Sequence, residues 1–284
     1  MKKIILMPFV ALCVCSCADD SQPVVDEVES VPVTFACQGF GIDTRPMTRG
    51  ELTADGKAMT DIWILDYIGD DLTQQLHQVS TDADFGTPTM NLSVGHHNIY
   101  FVASRSTSPT LDTDARTLTF GRVLDTFYKS LSLNVSATSA GAQAVTLDRI
   151  VTKLKLTFED PIPDGAASFN VTPAQWYYGI NYITGIPTTP TTSQNIPVSI
   201  PSSYIGLTDQ SLSIYGFSPA DEWTTDIAFN CKASDNSVLG QATITAAPMQ
   251  RNRITSYSGP LFSGNSAMTL AISADWLTSY QATW

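Results

Sequence analysis

The chain has 284 residues, 43% of them hydrophobic and 15% charged, with 15 Lys and Arg against 27 Asp and Glu and a formal net charge of −12. That apolar fraction supports a real core and excludes wholesale disorder. The acidic balance argues against nucleic acid, which is held mainly by basic side chains on phosphates. Sustained heptads of helical period are missing, which excludes a helical bundle. The length suits one large domain or two ordinary ones.

Met1-Lys2-Lys3 is a short basic start, and the apolar run Ile4–Leu12 follows it. The run is too short to cross a bilayer, which takes about 20 residues. It reads as the apolar part of a secretory signal over residues 1–16. The signal ends in Val14-Cys15-Ser16-Cys17, which resembles a bacterial lipobox with Cys17 as the lipidated residue. Ordinary cleavage nearby without a lipid is the alternative. Ala18-Asp19-Asp20 resembles the acidic surface-export signal of Bacteroidetes lipoproteins. Two or three acyl chains on Cys17 give stable anchoring where one is marginal. Residues 18–30 then form an acidic, proline-containing tether, and residues 17–49 as a whole read as tether and propeptide carrying a first strand.

Beyond the tether, period-two alternation recurs between turn residues, the mark of half-buried strands. Val31, Val33, Phe35 and Cys37 alternate with Pro32, Thr34 and Ala36. Ile62-Trp63-Ile64-Leu65 and Asn98–Ala103 are nearly continuous, as expected of strands covered on both faces. In 150–158, Ile150, Thr152, Leu154, Leu156 and Phe158 face one way and Val151, Lys153, Lys155 and Thr157 the other. Further strands are expected at 212–217, 227–231, 241–245 and 268–274, and Val123–Tyr128 with Leu131 hints at a short helix. Many short strands with frequent turns predict an all-β protein of β-sandwiches. The small-residue stretch 136–143 divides it into domains at 50–146 and 147–284. Residues 186–193 read as a surface loop inside the second half.

Catalytic constellations are missing: there is no G-x-S-x-G elbow and no G-x-x-x-x-G-K-[ST] phosphate loop. No catalytic residue, cofactor-binding residue or metal ligand is assigned, and an enzyme is not expected. His96 and His97 are adjacent, so on a strand they point to opposite faces and chelate poorly. They read as a solvent-facing hairpin end. Asp82-Ala-Asp84 and Asp112-Thr-Asp114 lack the continuation of a calcium loop and read as acidic loop tips. Cys37 and Cys231 either pair or stay as two buried thiols, the second fitting their apolar surroundings better.

Two features go beyond what β-structure requires. Thr44-Arg45-Pro46-Met47-Thr48-Arg49-Gly50-Glu51 lies between the first strand and the rest, a natural proteolytic site if exposed. Pro46 disfavours cutting after Arg45, which leaves Arg49-Gly50 as the better bond. Near the C-terminus, Met268, Leu270, Ile272, Ala274 and Trp276 form one apolar strand face. Together they predict a mechanism: a cut after Arg49 frees the strand bearing Val31, Val33, Phe35 and Cys37. The first sandwich then loses an edge, and a terminal strand from a second copy, presenting Met268, Leu270, Ile272 and Trp276, fills the groove. Four large apolar residues at ~1.5–3 kcal/mol each bring roughly 6–12 kcal/mol before ordering costs.

Several segments then resemble one family. The lipobox, the Arg49 loop, Asp61–Tyr67, Leu147–Leu154 and Gln250–Gly259 are similar, in order and spacing, to the Bacteroidales fimbrillin-like proteins, subunits of type V pili. The resemblance covers essentially the whole chain. It implies two transthyretin-like sandwich domains in tandem and export as a lipoprotein to the outer-membrane surface. It also implies cutting by an arginine-specific protease of the gingipain type, with Arg49 at the family's site, and assembly with other fimbrial subunits by strand exchange. Stalk, tip and anchor subunits share this pattern. Arg49 favours a subunit that is cut, but the sequence leaves stalk and tip open. The rival reading is a non-polymerising surface lipoprotein that binds glycan or host protein, with Trp176-Tyr177-Tyr178 and Tyr182 as its platform.

Overall fold

Alternating apolar side chains and frequent turns give strands throughout. The computed structural model describes residues 29–38, 59–105, 109–138, 141–188, 191–192, 194–263 and 268–273. The first half contains β1 (Ser30–Gln38), β2 (Asp61–Ile68), β3 (Asp71–Val79), β4 (Thr89–Ser93), β5 (Gly95–Ser104), β6 (Thr110–Asp112), β7 (Thr117–Thr119), β8 (Thr126–Val135) and β9 (Gly141–Thr146). A short β10 (Asp148–Arg149) leads into the second half. There follow β11 (Val151–Phe158), β12 (Ala166–Pro173), β13 (Gln175–Trp176), β14 (Gly179–Asn181), β15 (Ile186–Pro187), β16 (Thr191–Thr192) and β17 (Ile196–Ser199). After a single 3₁₀ turn at Ser202–Tyr204 come β18 (Gln210–Phe217), β19 (Glu222–Ala233), β20 (Val238–Gln250), β21 (Ile254–Gly259) and β22 (Thr269–Ser273).

The protein is all-β, as the alternation predicts, and each half builds a two-sheet sandwich. In the first, sheet β4-β1-β9 packs on sheet β10-β8-β5-β2-β3 over a core that includes Val33, Phe35, Ile62, Ile64, Phe101 and Phe127. In the second, sheet β18-β11-β21-β22 packs on sheet β17-β12-β19-β20. The pairing is the same in both. β1 and β11 each run antiparallel to one neighbour (β4, β18) and parallel to the other (β9, β21). β2, β3, β5 and β8 correspond likewise to β12, β17, β19 and β20. Within these four sheets, β22 has no counterpart among the described strands of the first half, and β10 has none in the second.

Two excursions bind the halves together. β6 and β7 leave the first sandwich between β5 and β8, while β14 and β15 leave the second between β12 and β17. They pair as one sheet, β15-β14-β7-β6. The second core therefore continues through Leu118, Phe120, Trp176 and Tyr182 onto Leu65, Tyr67, Tyr100 and Val102, the outer face of β2 and β5. This explains the unbroken apolar runs there: both faces of these strands are covered. Gly185 sits at φ +68, which glycine adopts easily, and a Cβ there would lie 2.6 Å from the Tyr128 ring. A Cβ on Gly216 would meet the Trp176 indole at 2.5 Å.

Three expectations are corrected. The hinted helix at 123–128 is irregular chain running into β8, where pairing with β5 outweighs local propensity. His97 is buried rather than solvent-facing, because it shares the inward parity of Ile99 and Phe101. Of the adjacent pair, His96 is the exposed one. Of the aromatic platform, Trp176, Tyr178 and Tyr182 are buried and only Tyr177 is partly open, so no row of aromatics faces solvent.

Candidate functional site

β1 lies in the middle of its sheet, not at an edge as the alternation alone suggests. Val31, Val33, Phe35 and Cys37 point inward, each 5% exposed or less. The Phe35 ring meets Phe101 edge-on, with centroids 5.3 Å apart. The backbone is held on both sides: β4 pairs with residues 30–34 and β9 with residues 33–38. Beyond β4, the Phe35 amide donates to the Pro88 carbonyl at 2.8 Å and the Cys37 amide to the Gly86 carbonyl at 3.0 Å. Burial pushes the Cys37 thiol up to about 12. Taking β1 out would leave a slot with apolar walls and unpaired donors and acceptors along both rims.

Connectivity sets β1 apart from its counterpart. β11 joins β10 directly and passes to β12 through residues 159–165. β1 is tied to β2 only by residues 39–60, of which Met59 and Thr60 are described. The processing pair Arg49 and Gly50 lies outside the described residues, as does the lipidation candidate Cys17. Cys37 and Cys231 are separate buried thiols, one in each sandwich.

The C-terminal candidates fall on β22, which pairs antiparallel with β21 at the edge of the second sandwich. Leu270 and Ile272 sit opposite Tyr257 and Thr255, so they take the inward face. They are nevertheless 43% and 42% exposed, because the strand overhangs the core. Met268 packs against that core, and Trp276 lies outside the described residues. The chain entering β22 is pinned at the far end of the sandwich. The Asp160 carboxylate accepts the amides of Leu261 (3.0 Å), Phe262 (2.5 Å) and Ser263 (3.0 Å).

Polar groups that sequence reasoning left without a role hold the scaffold. Arg149 and Asp125 form a fully buried bidentate pair, with Nε to Oδ1 at 2.6 Å and Nη2 to Oδ2 at 2.9 Å. Arg149 also donates to Asn252 Oδ1 at 3.2 Å and lies over the Phe127 ring. Two segments quoted for the family resemblance, around Arg149 and around Asn252, thus meet where one sandwich passes into the other. The signal was in the sequence, since an arginine amid strand residues needs a partner when buried. In the first core the His97 ring nitrogens lie 2.8 Å from the Asp66 carboxylate and 2.8 Å from the Ser93 carbonyl, and Thr73 donates to the same carboxylate. Asp82 and Asp112 accept the amides of Val79 and Ala115, shaping their turns. A cavity of about 190 Å³ opens between β17 and β18, lined by Phe169, Val198, Ile200, Tyr204 and Leu212 among others.

The fold has solved counterparts. A candidate adhesin from Bacteroides ovatus matches with a TM-score of 0.53 and 11% identity, over 83% of this chain and 88% of that one. A candidate cell adhesion protein from Bacteroides uniformis matches at 0.50 and 13%, over 90% and 100%. A structure described as candidate polysaccharide-binding proteins, from Bacteroides thetaiotaomicron, matches at 0.51 and 9%, over 87% and 96%. No protein-family model matches the chain, and no curated protein matches it in sequence. The shared property is the two-sandwich fold.

Proposed function

We propose that this chain is a structural subunit of a cell-surface fimbrium, of the fimbrillin-like kind that its sequence resembles. In this reading it reaches the outer membrane as a lipoprotein through Cys17. An arginine-specific protease cuts after Arg49, and β1 then leaves its slot. A strand from another fimbrial subunit takes its place. The observation that carries the reading is the position of β1: a fully packed central strand whose connection onward contains the Arg49-Gly50 bond. The likeness in fold to candidate adhesion proteins of Bacteroides supports a surface role. No cofactor, nucleic acid or catalysis by this chain itself enters it.

The test is to treat the 17–284 protein with an arginine-specific protease, sequence the new N-terminus and run unboiled SDS gels. A start at Gly50 with loss of β1 is expected. An intact Arg49-Gly50 bond in folded protein would sink the mechanism and leave an anchor or a monomeric surface protein. The second reading is a monomeric lipoprotein that binds glycan or host protein. It draws on the cavity between β17 and β18, with Tyr204 at its wall, and on the fold shared with candidate polysaccharide-binding proteins. Glycan-array binding by the uncut protein would favour it.

A further inference from the structure

The two sandwiches differ along one seam. In the first, β3 and β4 are the sheet edges that border it, and the Gln74 side-chain amide bridges them by donating to the Asn91 carbonyl. In the second, the corresponding strands β17 and β18 stand apart, and the cavity of about 190 Å³ opens between them. Its floor is rigid: Phe169 stacks on Phe158 with ring centroids 4.3 Å apart, and Leu212 lies buried opposite Leu156. The wall at Tyr204 is pinned through the backbone, Ile162 donating to Leu207, Gly206 to Ile162 and Leu207 to Tyr204. Among these apolar surfaces the lining carries four hydroxyl groups, on Ser199, Tyr204, Ser211 and Ser213. The volume is about six times the roughly 30 Å³ of one water molecule, room for a single substituted six-membered ring.

A reversal of charge lies beside the cavity. On the outer face of the sheet, Ser211, Ser213 and Tyr215 of β18 stand opposite Thr157, Lys155 and Lys153 of β11. Lys155 is half-buried and has no ion-pair partner among the described residues. Lys153 and Arg105 both lie over the Tyr215 ring, at 5.3 and 5.6 Å from its centroid. β21 continues the face with Ser256 and Ser258. β18, β11, β21 and β22 contain no Asp or Glu, and no carboxylate lines the cavity, although the whole chain has a net charge of −12. The equivalent strands β4, β1 and β9 contain neither acid nor base, so the lysines belong to the second sandwich alone.

We infer that this seam binds a carboxylated sugar, one ring entering the cavity and its carboxylate meeting Lys155. The inference deepens the second reading above and rests on it for a sugar ligand. It does not draw on strand replacement, since β18 lies at the opposite edge of its sheet from β22. The lining selects the ring. A pyranose turns its C–H faces to Phe169, Ile200 and Leu212 and its hydroxyls to the serines, whereas an aliphatic chain would strip those hydroxyls of water and replace nothing. The neighbouring lysine selects the charge. Opposite residues of an antiparallel pair have Cβ atoms about 4.5–5.5 Å apart, so the Lys155 stem reaches past Ser213 to an anion at the cavity rim. That contact is a charge-assisted hydrogen bond, and Lys153 and Arg105 add attraction at longer range.

Saturation-transfer NMR titration of the uncut 17–284 protein tests the site. The probes are glucuronate, galacturonate and N-acetylneuraminate, each beside its neutral counterpart: glucose, galactose and the N-acetylneuraminate methyl ester. At least one acid should bind about tenfold more tightly than its counterpart, and about 0.5 M NaCl should remove most of that difference. Lys155→Ala should abolish the preference and leave the neutral sugar's affinity unchanged, while Lys155→Arg retains it. Ser213→Phe, at a half-buried rim position, fills the seam and should block acid and neutral sugar alike, with an unchanged Tm showing that the variant folds. Equal binding of acid and neutral sugar, or a preference that survives Lys155→Ala, overturns the inference and leaves the glycan reading standing. No binding by any of these probes overturns the inference, and a silent glycan array removes the glycan reading with it. Tetraglutamate carries the charge without the ring. If it binds as tightly as the best acidic sugar, the face takes acidic peptide and the inference falls.

Discussion

The two sandwiches pair seven strands in the same order but hold the first of them differently. β11 is bound into the chain by β10 on one side and by residues 159–165 on the other, so it cannot leave without unfolding its sandwich. β1 makes the same set of pairings and buries its side chains as fully, but only residues 39–60 tie it onward. The second sandwich also carries an extra strand, β22, held on one edge and overhanging the core. The lesson is that packing alone does not mark a removable strand. Covalent connection decides which well-packed strand a single cut could free.

This comparison can be broken or sharpened by mutation. The largest effect is expected at the pair that joins the halves: Arg149→Ala strands the Asp125 carboxylate and should cost about 3–5 kcal/mol in urea unfolding. Both sandwiches should weaken together in one transition; a second transition left unmoved would show that the halves fold independently. Phe35→Ala should cost about 3 kcal/mol in the uncut chain and, once residues 39–58 are cut, should release β1. Release is read by mass spectrometry of the gel-filtered protein, and retention of the fragment would mean that β1 is held by more than its core contacts. Gly185→Ala puts a Cβ against the Tyr128 ring at a positive φ and should cost about 1–3 kcal/mol, seen as a lowered Tm.

Alkali separates the two thiols. Burial raises Cys37 from 9.0 to about 12 and Cys231 to about 11. Well below pH 9 both thiols keep their protons in either state, so the buried form is at no disadvantage. Above it the unfolded chain loses the proton first, and stability falls as pH rises toward the folded value. Cys37→Ala should therefore flatten the pH dependence between 9 and 12, by about 1 kcal/mol at pH 10. An unchanged slope would mean that the thiol is not buried as described. After cutting and release of β1, Cys37 should react with a thiol reagent at pH 8 while Cys231 stays protected. The smallest effect is expected at the overhanging edge, where Leu270→Ser should cost under about 1 kcal/mol in the uncut protein. A loss as large as that of Phe35→Ala would show that β22 is a core strand.

Much of this was legible from pattern. The alternation at 31–37 and 150–158 marked inward and outward faces correctly, and the unbroken runs at 62–65 and 98–103 marked strands covered on both sides. The helix hint at 123–128 failed because an apolar segment of that length has no period of its own, and its neighbour β5 settled its form. His97 was misjudged by reading the His-His pair as a unit, although its parity with Ile99 and Phe101 placed it inside. The aromatic cluster at 176–182 could not be assigned from sequence, since a platform and a core present the same residues and differ only in what packs over them.

The amino-acid sequence by itself determined the fold class, because period-two burial is a local property of each strand. It also located the two segments on which the proposed function rests, since a basic loop after a first strand and an apolar face near the chain's end are read residue by residue. Tertiary structure alone decided that β1 is central, that Arg149 faces Asp125 across the junction, and that β22 overhangs its core. Each of these depends on which distant strands become neighbours, and that is set by the summed burial and backbone pairing of the whole chain.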